Sequence, residues 1–190
     1  MKEIKIKIEG TTGLLMNKMP YLTQQTEQAL KSKFSAYDDV FTEAAKKIHY
    51  SSTDFITAVM PAANIMACFV EAGELFKIGK KQISTKTTTL LTGWISFDDI
   101  EYPILTKNGW HPETMPVINQ NTRGMILSVR PLWREWAIEF KIYVRNEKID
   151  IKVIRELIDE AGMSKGLGSY RPPHKGLFGK FKVIKWEVLN

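Results

Sequence analysis

The chain has 190 residues, 44% hydrophobic and 25% charged, enough for one hydrophobic core and too few for two independent ones. No run approaches the ~20 apolar residues that span a bilayer, Met1-Lys2-Glu3-Ile4-Lys5 lacks the apolar stretch of a signal peptide, and the single cysteine, Cys68, excludes an internal disulfide and a cysteine-rich zinc site. The expectation is a soluble, cytoplasmic protein whose net charge of +6 favours polyanionic partners through counterion release.

Ile4, Ile6 and Ile8 alternate with Lys5, Lys7 and Glu9, the period of a strand with one buried face, and the Gly-Thr-Thr-Gly of 10–13 ends it. From about Thr23 to Ala72 apolar residues recur every third or fourth position, Phe34, Tyr37, Phe41, Ala44, Ala45 and Ile48 among them, which predicts helices. A second helical segment, Phe55 to Leu75, is interrupted by Pro61 and ends near Gly73. The β-branched run 83–91 predicts a strand or hairpin arm, and Pro103, Gly109, Pro112 and Pro116 mark irregular connections. Met125, Leu127 and Val129 alternate toward a predicted turn at 130–134, and Trp136, Ile138, Phe140, Ile142 and Val144 alternate back, which predicts a long β-hairpin. Asp150 is placed to cap a helix whose Ile151, Ile154, Leu157, Ile158 and Ala161 share a face, with Gly162 as its stop. After a glycine-punctuated basic loop, Phe181, Val183, Ile184, Trp186 and Val188 form a last strand whose phase slips at Ile184, the mark of a bulge.

In order, these elements read β-α-β-β-α-β, the ferredoxin-like (RRM-like) pattern of an α+β protein. A single domain over 1–190 is expected, with a helix-rich, short-stranded insertion within 20–120. That topology puts the first strand in the centre, beside the third and fourth core strands, and brings 10–13, 130–134 and the glycine loop to one sheet edge. The expected edge gathers Thr11, Thr12, Arg130, Trp133, Arg134, Gly166, Gly168, Tyr170, Arg171, Lys175, Gly176, Gly179 and Lys180. Loop amides, Arg171 and Lys175 would hold phosphates, Arg130 and Arg134 extend the track, and Tyr170 or Trp133 stack on a base, the composition of a single-stranded nucleic-acid surface.

Other motifs point elsewhere, and no metal or cofactor is expected. Asp98, Asp99 and Glu101 stand so close in an extended segment that neighbours face opposite ways, unlike a metal site. Gly166-Leu167-Gly168 follows a helix and opens a strand, the reverse of a dinucleotide-binding turn. Met60, Met66, Leu75 and Phe76 are read as core, and Lys77, Lys80, Lys81 and Lys86 as a second basic run, either a continued nucleic-acid track or a solvated face. Of the histidines, His49 is read as capping a helix C-terminus, His111 as an ordinary loop residue, and His174, inside the glycine loop, as the one candidate for acid–base catalysis.

The C-terminal helix, the Gly166-Leu167-Gly168 turn, the basic centre, the Gly176-Leu177-Phe178-Gly179 end and the apolar last strand resemble the glycine-rich loop of the RAMP superfamily. These are the RNA-binding Cas5, Cas6 and Cas7 proteins of CRISPR effector complexes. The chain is also similar to small phage or prophage proteins that carry the Arg-Pro turn and the same loop. The resemblance covers the last seventy or so residues and the first strand; the chain departs from it in being shorter and helix-rich in its first half. It implies a ferredoxin-like fold and a Cas7-like protein that binds single-stranded RNA, or DNA, without catalysis, alone or in a homo-oligomer or larger protein complex. It leaves two alternatives: a metal-independent endoribonuclease of Cas6 type acting through His174, and a phage structural or assembly protein.

Overall fold

Alternation in the first strand decides the architecture. The computed structural model describes residues 1–19, 39–118, 123–146 and 149–189; the helical pattern through Phe34 and Tyr37 lies outside them. The strands are β1 (Lys2–Gly10), β2 (Leu14–Leu15), β3 (Val59–Pro61), β4 (Lys77–Ile78), β5 (Lys81–Gln82), β6 (Ile95–Phe97), β7 (Glu101–Pro103), β8 (His111–Ile118), β9 (Met125–Trp133), β10 (Ala137–Val144) and β11 (Phe181–Leu189). The helices are α1 (Val40–Ala45), α2 (Ala62–Gly73), α3 (Leu91–Trp94) and α4 (Ile151–Glu160).

β1 buries Ile4, Ile6 and Ile8 completely and turns Lys5 and Lys7 to the other face. It lies between β11 and β10, and β10 pairs in turn with β6, so the main sheet has the order β11-β1-β10-β6 with every pairing antiparallel. Register places Ile4 opposite Ile142, Ile6 opposite Phe140 and Ile8 opposite Ile138, which stacks one apolar face across the strands. α2 connects β1 to β6 through the insertion, and α4 connects β10 to β11. Both bury their apolar sides in the same core: Phe69 of α2 packs against Phe140, with ring centroids 6.2 Å apart, and α4 contributes Ile154, Leu157 and Ile158. This is the ferredoxin-like α+β arrangement, with β1 central between the third and fourth core strands. The bulge is also present: Lys7 faces Lys185 and Ile8 faces Val183, so Ile184 has no opposite residue.

Five local expectations are corrected. The predicted hairpin partner of β10 is wrong: β9 pairs with β8 on one side and β2 on the other, in a separate sheet. Alternation reports one buried face and does not name the neighbour. β10 is bonded by β1 along one edge and, on the other, by β6 at Ile142–Val144 and by Leu105 at Ala137, and the chain bends at Arg134 and Glu135 between β9 and β10. Arg130, Pro131, Leu132 and Trp133 are therefore strand residues, and the core partner in the second position is the three-residue β6, too short to show a period. Pro61 does not interrupt a helix; it is the last residue of β3 and the N-cap of α2. Gly162 does not stop α4, whose chain runs on as a wide π turn, Ala161–Lys165, to Gly166. A Cβ at Gly162 would overlap the Phe181 carbonyl, so this glycine allows close approach of the turn to β11. Leu75 is 61% exposed and lies outside the core, whereas Met60 is fully buried and Met66 and Phe76 pack against it. In the run 83–91 only an isolated Ser84–Thr89 bridge forms before α3 begins.

Candidate nucleic-acid interface

The link 10–13 and the loop 166–180 are stitched together. Thr11 N–H donates to the Lys180 carbonyl (2.8 Å), Lys180 N–H to Thr12 Oγ1 (3.0 Å), Gly179 N–H to the Gly13 carbonyl (2.8 Å) and Ser169 N–H to the Leu15 carbonyl (2.7 Å). β2 then pairs with the end of β9, Leu14 opposite Trp133 and Leu15 opposite Leu132, and Trp136 Nε1–H donates to the Thr12 carbonyl at 2.8 Å. Segments as many as 169 positions apart thus meet at one edge. The loop can lie this close because Gly179 adopts φ +77° and any Cβ there would overlap the Leu167 carbonyl.

The same stitching redefines the loop amides. Gly166, Leu167, Ser169, Gly176, Phe178 and Gly179 donate to the carbonyls of Ala161, Gly179, Leu15, Arg171, Tyr170 and Gly13 respectively. Backbone groups at a packed seam need partners, so these amides hold the edge together and are not offered to a phosphate chain. Gly168, also at positive φ (+77°), packs against the Leu15 backbone.

The side chains divide into three groups. Trp133 is 1% exposed and belongs to the core, so it offers no stacking face. Its indole follows the inward phase of β9, which the turn assignment concealed. Arg171 is committed within the protein: Nη1 and Nη2 donate to the two carboxylate oxygens of Glu71 at 2.6 and 2.7 Å. The Arg171 hydrogen bonds hold the Glu71 carboxyl below its ordinary range, and the pair fastens the loop to α2. The remaining groups face outward. Tyr170 is 42% exposed, at φ +54° beside Phe178. Lys175 is exposed in a left-handed conformation after the short 3-10 turn Pro172–His174, where His174 is exposed as well. Thr11 is exposed, and Lys180 is half-buried. Arg134 is exposed, and its Nε–H donates at 3.2 Å to Nε2 of His111, which is the first residue of β8 and not a loop residue.

Arg130 is half-buried. Its Nε–H reaches Ser128 Oγ (3.3 Å) and its Nη1 reaches Ser169 Oγ (3.2 Å), which ties β9 to the glycine loop. Beside it lies Lys47, which the sequence reading missed. Lys47 Nζ donates to the Val129 carbonyl (2.6 Å) and Ser128 Oγ (3.3 Å). Burial and then the Arg130 charge push the Lys47 pKa down to about 8, and burial lowers that of Arg130. Neither pairs with a carboxylate among the described residues. No sequence signal marks Lys47, because only the packing of the α1 segment on β9 brings it there.

His49 does not act as a helix cap. It follows the turn after α1, and burial with the nearby Lys18 charge lowers its pKa, where a helix C-terminus would raise it. The acidic triplet disperses: Asp98 Oδ1 accepts from the Tyr102 hydroxyl (2.6 Å), and Glu101 accepts from Ser52. Among the described residues no three or more metal-ligating side chains converge, and no helix is long and apolar enough to cross a membrane.

Fold and edge together define an α+β protein of ferredoxin-like architecture whose glycine loop closes onto the central strand. No family model and no curated protein sequence matches the chain. Its fold matches a chain in a cryo-electron microscopy structure of the type III-B Cmr-beta bound to cognate target RNA, with a TM-score of 0.63 and 14% identity, over 99% of this chain and 60% of that one. At that identity the likeness establishes the fold, and this chain spans about 60% of the length of the chain it matches.

Proposed function

We propose that the chain is a RAMP-type, Cas7-like protein that binds single-stranded RNA along the glycine-loop edge without cutting it. The observation that carries this reading is the pair Arg130 and Lys47. Two half-buried cations side by side repel each other, and a phosphate placed against them and the Ser128 and Ser169 hydroxyls relieves that repulsion. Arg134, Lys175 and Lys180 continue the positive track, and Tyr170 supplies an exposed ring on which a base stacks. Arg171 positions the loop through Glu71. The likeness to a chain of an RNA-bound assembly supports both the RNA and a multi-subunit setting.

Fluorescence anisotropy with a labelled mixed-sequence ribo-oligonucleotide tests the reading. Arg130→Gln combined with Lys175→Gln weakens binding at least about tenfold near physiological salt and reduces the salt slope by roughly 1.4, two phosphate contacts at about 0.7 each. Unchanged affinity and slope would sink the proposal. RNA incubated with the protein in chelator stays full length, and His174→Ala changes neither result.

A further inference from the structure

A cleft of about 160 Å³ lies between the start of the glycine loop and α2, next to the Arg130–Ser169 contact. The buried Met16, Met60 and Leu167 supply its apolar wall, and Asn17, His49, Asn64, Ser169 and Arg171 line it with polar groups. We infer that this cleft receives one base of a bound RNA strand, turned out of the stack while its sugar and phosphate stay on the basic edge. This rests on the reading above.

Size comes first. Ligand sites for whole small molecules occupy roughly 300–1,000 Å³, so this space takes a planar ring system and leaves the remainder of a nucleotide outside. The walls suit such a ring. Two thioethers supply polarisable surface for an aromatic edge. Asn64 carries a donor and an acceptor side by side, the arrangement that reads a base edge, and among the described residues its Nδ2 makes only a 3.8 Å approach to Met60 Sδ. The backbone of His49 is committed, its N–H to Met16 Sδ and its carbonyl to Val59, which fixes the residue in place. Burial and Lys18 favour the neutral imidazole, so one ring nitrogen donates and the other accepts. Arg171 spends its N–H edge on Glu71, and a guanidinium held by its edge keeps a flat face for stacking.

Ala67, exposed on α2 and lining the cleft, allows the space to be filled without touching a basic residue. Binding of a mixed-sequence ribo-oligonucleotide is compared with that of an equally long abasic ribose-phosphate strand and of free nucleosides. The wild-type protein prefers the base-bearing strand by about tenfold and binds free nucleosides far more weakly than either. Ala67→Phe brings the preference close to one and leaves abasic affinity and the salt slope unchanged; Ala67→Leu serves the same purpose if the phenylalanine variant melts early. Equal wild-type affinity for the two strands, or an undiminished preference in the filled variant, overturns the base cleft and leaves the RNA-binding reading standing. Nucleoside binding as tight as the strand's also overturns it, in favour of a mononucleoside site. If neither strand binds, both readings fall together.

Discussion

The glycine-loop edge and the open face of the main sheet are both rich in basic residues, yet they differ in kind. On the sheet face the charges are matched: Lys5 meets Glu139 at 2.6 Å, Lys141 meets Glu3 at 3.1 Å, Lys182 meets Glu9 at 3.1 Å and Lys185 meets Glu187 at 3.0 Å. Most of these pairs lie across neighbouring strands, where opposite charges support the register, and they leave little field for a polyanion. At the edge, Arg130 and Lys47 crowd each other, and Lys175 points into solvent. Net charge alone therefore does not identify a binding surface; the local balance of paired and unpaired charge does.

Breaking the edge's backbone gives the largest expected effect. Gly179→Ala forces a left-handed residue and a collision with the Leu167 carbonyl, which costs about 3 kcal/mol. Thermal denaturation should fall by about 6–12 °C, and RNA binding should fall with it.

The two kinds of ion pair separate next. Glu71→Ala leaves the half-buried Arg171 fork without its carboxylate and lowers stability by about 2 kcal/mol, whereas Glu139→Ala on the sheet face changes it by no more than about 0.5 kcal/mol. Urea titrations of the two variants measure the contrast; equal losses would mean that the edge is not specially anchored.

A pH dependence also belongs to the edge alone. Lys47 titrates near 8 in the folded protein and near 10.5 in an ordinary setting, so the unfolded chain binds more protons between those values. Folding stability attributable to this residue consequently rises as pH climbs from about 8 to 10.5 and is lowest below 8. RNA affinity moves the opposite way, because phosphate favours the charged lysine: it declines from about pH 7 to 9, and Lys47→Met flattens that decline. A wild-type profile identical to that of the variant would remove Lys47 from the interface.

Much of the frame was legible in the sequence. The inward isoleucines of β1, the Asp150 cap, the face of α4 and the bulge at Ile184 are local patterns with a direct backbone or packing cause. Pairing was less legible where the pattern is shared, as β9 and β10 show: equal alternation on both sides of a turn does not require that the two strands bond. Within the site, the glycines and the meeting of 10–13 with the loop were readable from topology. The roles of individual residues were not, because burial sent Trp133 inward and Glu71 claimed Arg171.

The sequence by itself determined that residues 166–180 form a tight, glycine-dependent, basic loop entering the last strand, since those properties follow from φ freedom, charge and periodicity close to each residue. Only the tertiary structure decided which of its groups remain available. It consumed the loop amides in a seam with 10–13, tied Arg171 to a helix 100 residues earlier, and set Lys47 against Arg130 through an unrelated segment. Hydrogen bonding and charge pairing act over a few ångströms of space, and the folded chain alone fixes which residues lie within that reach.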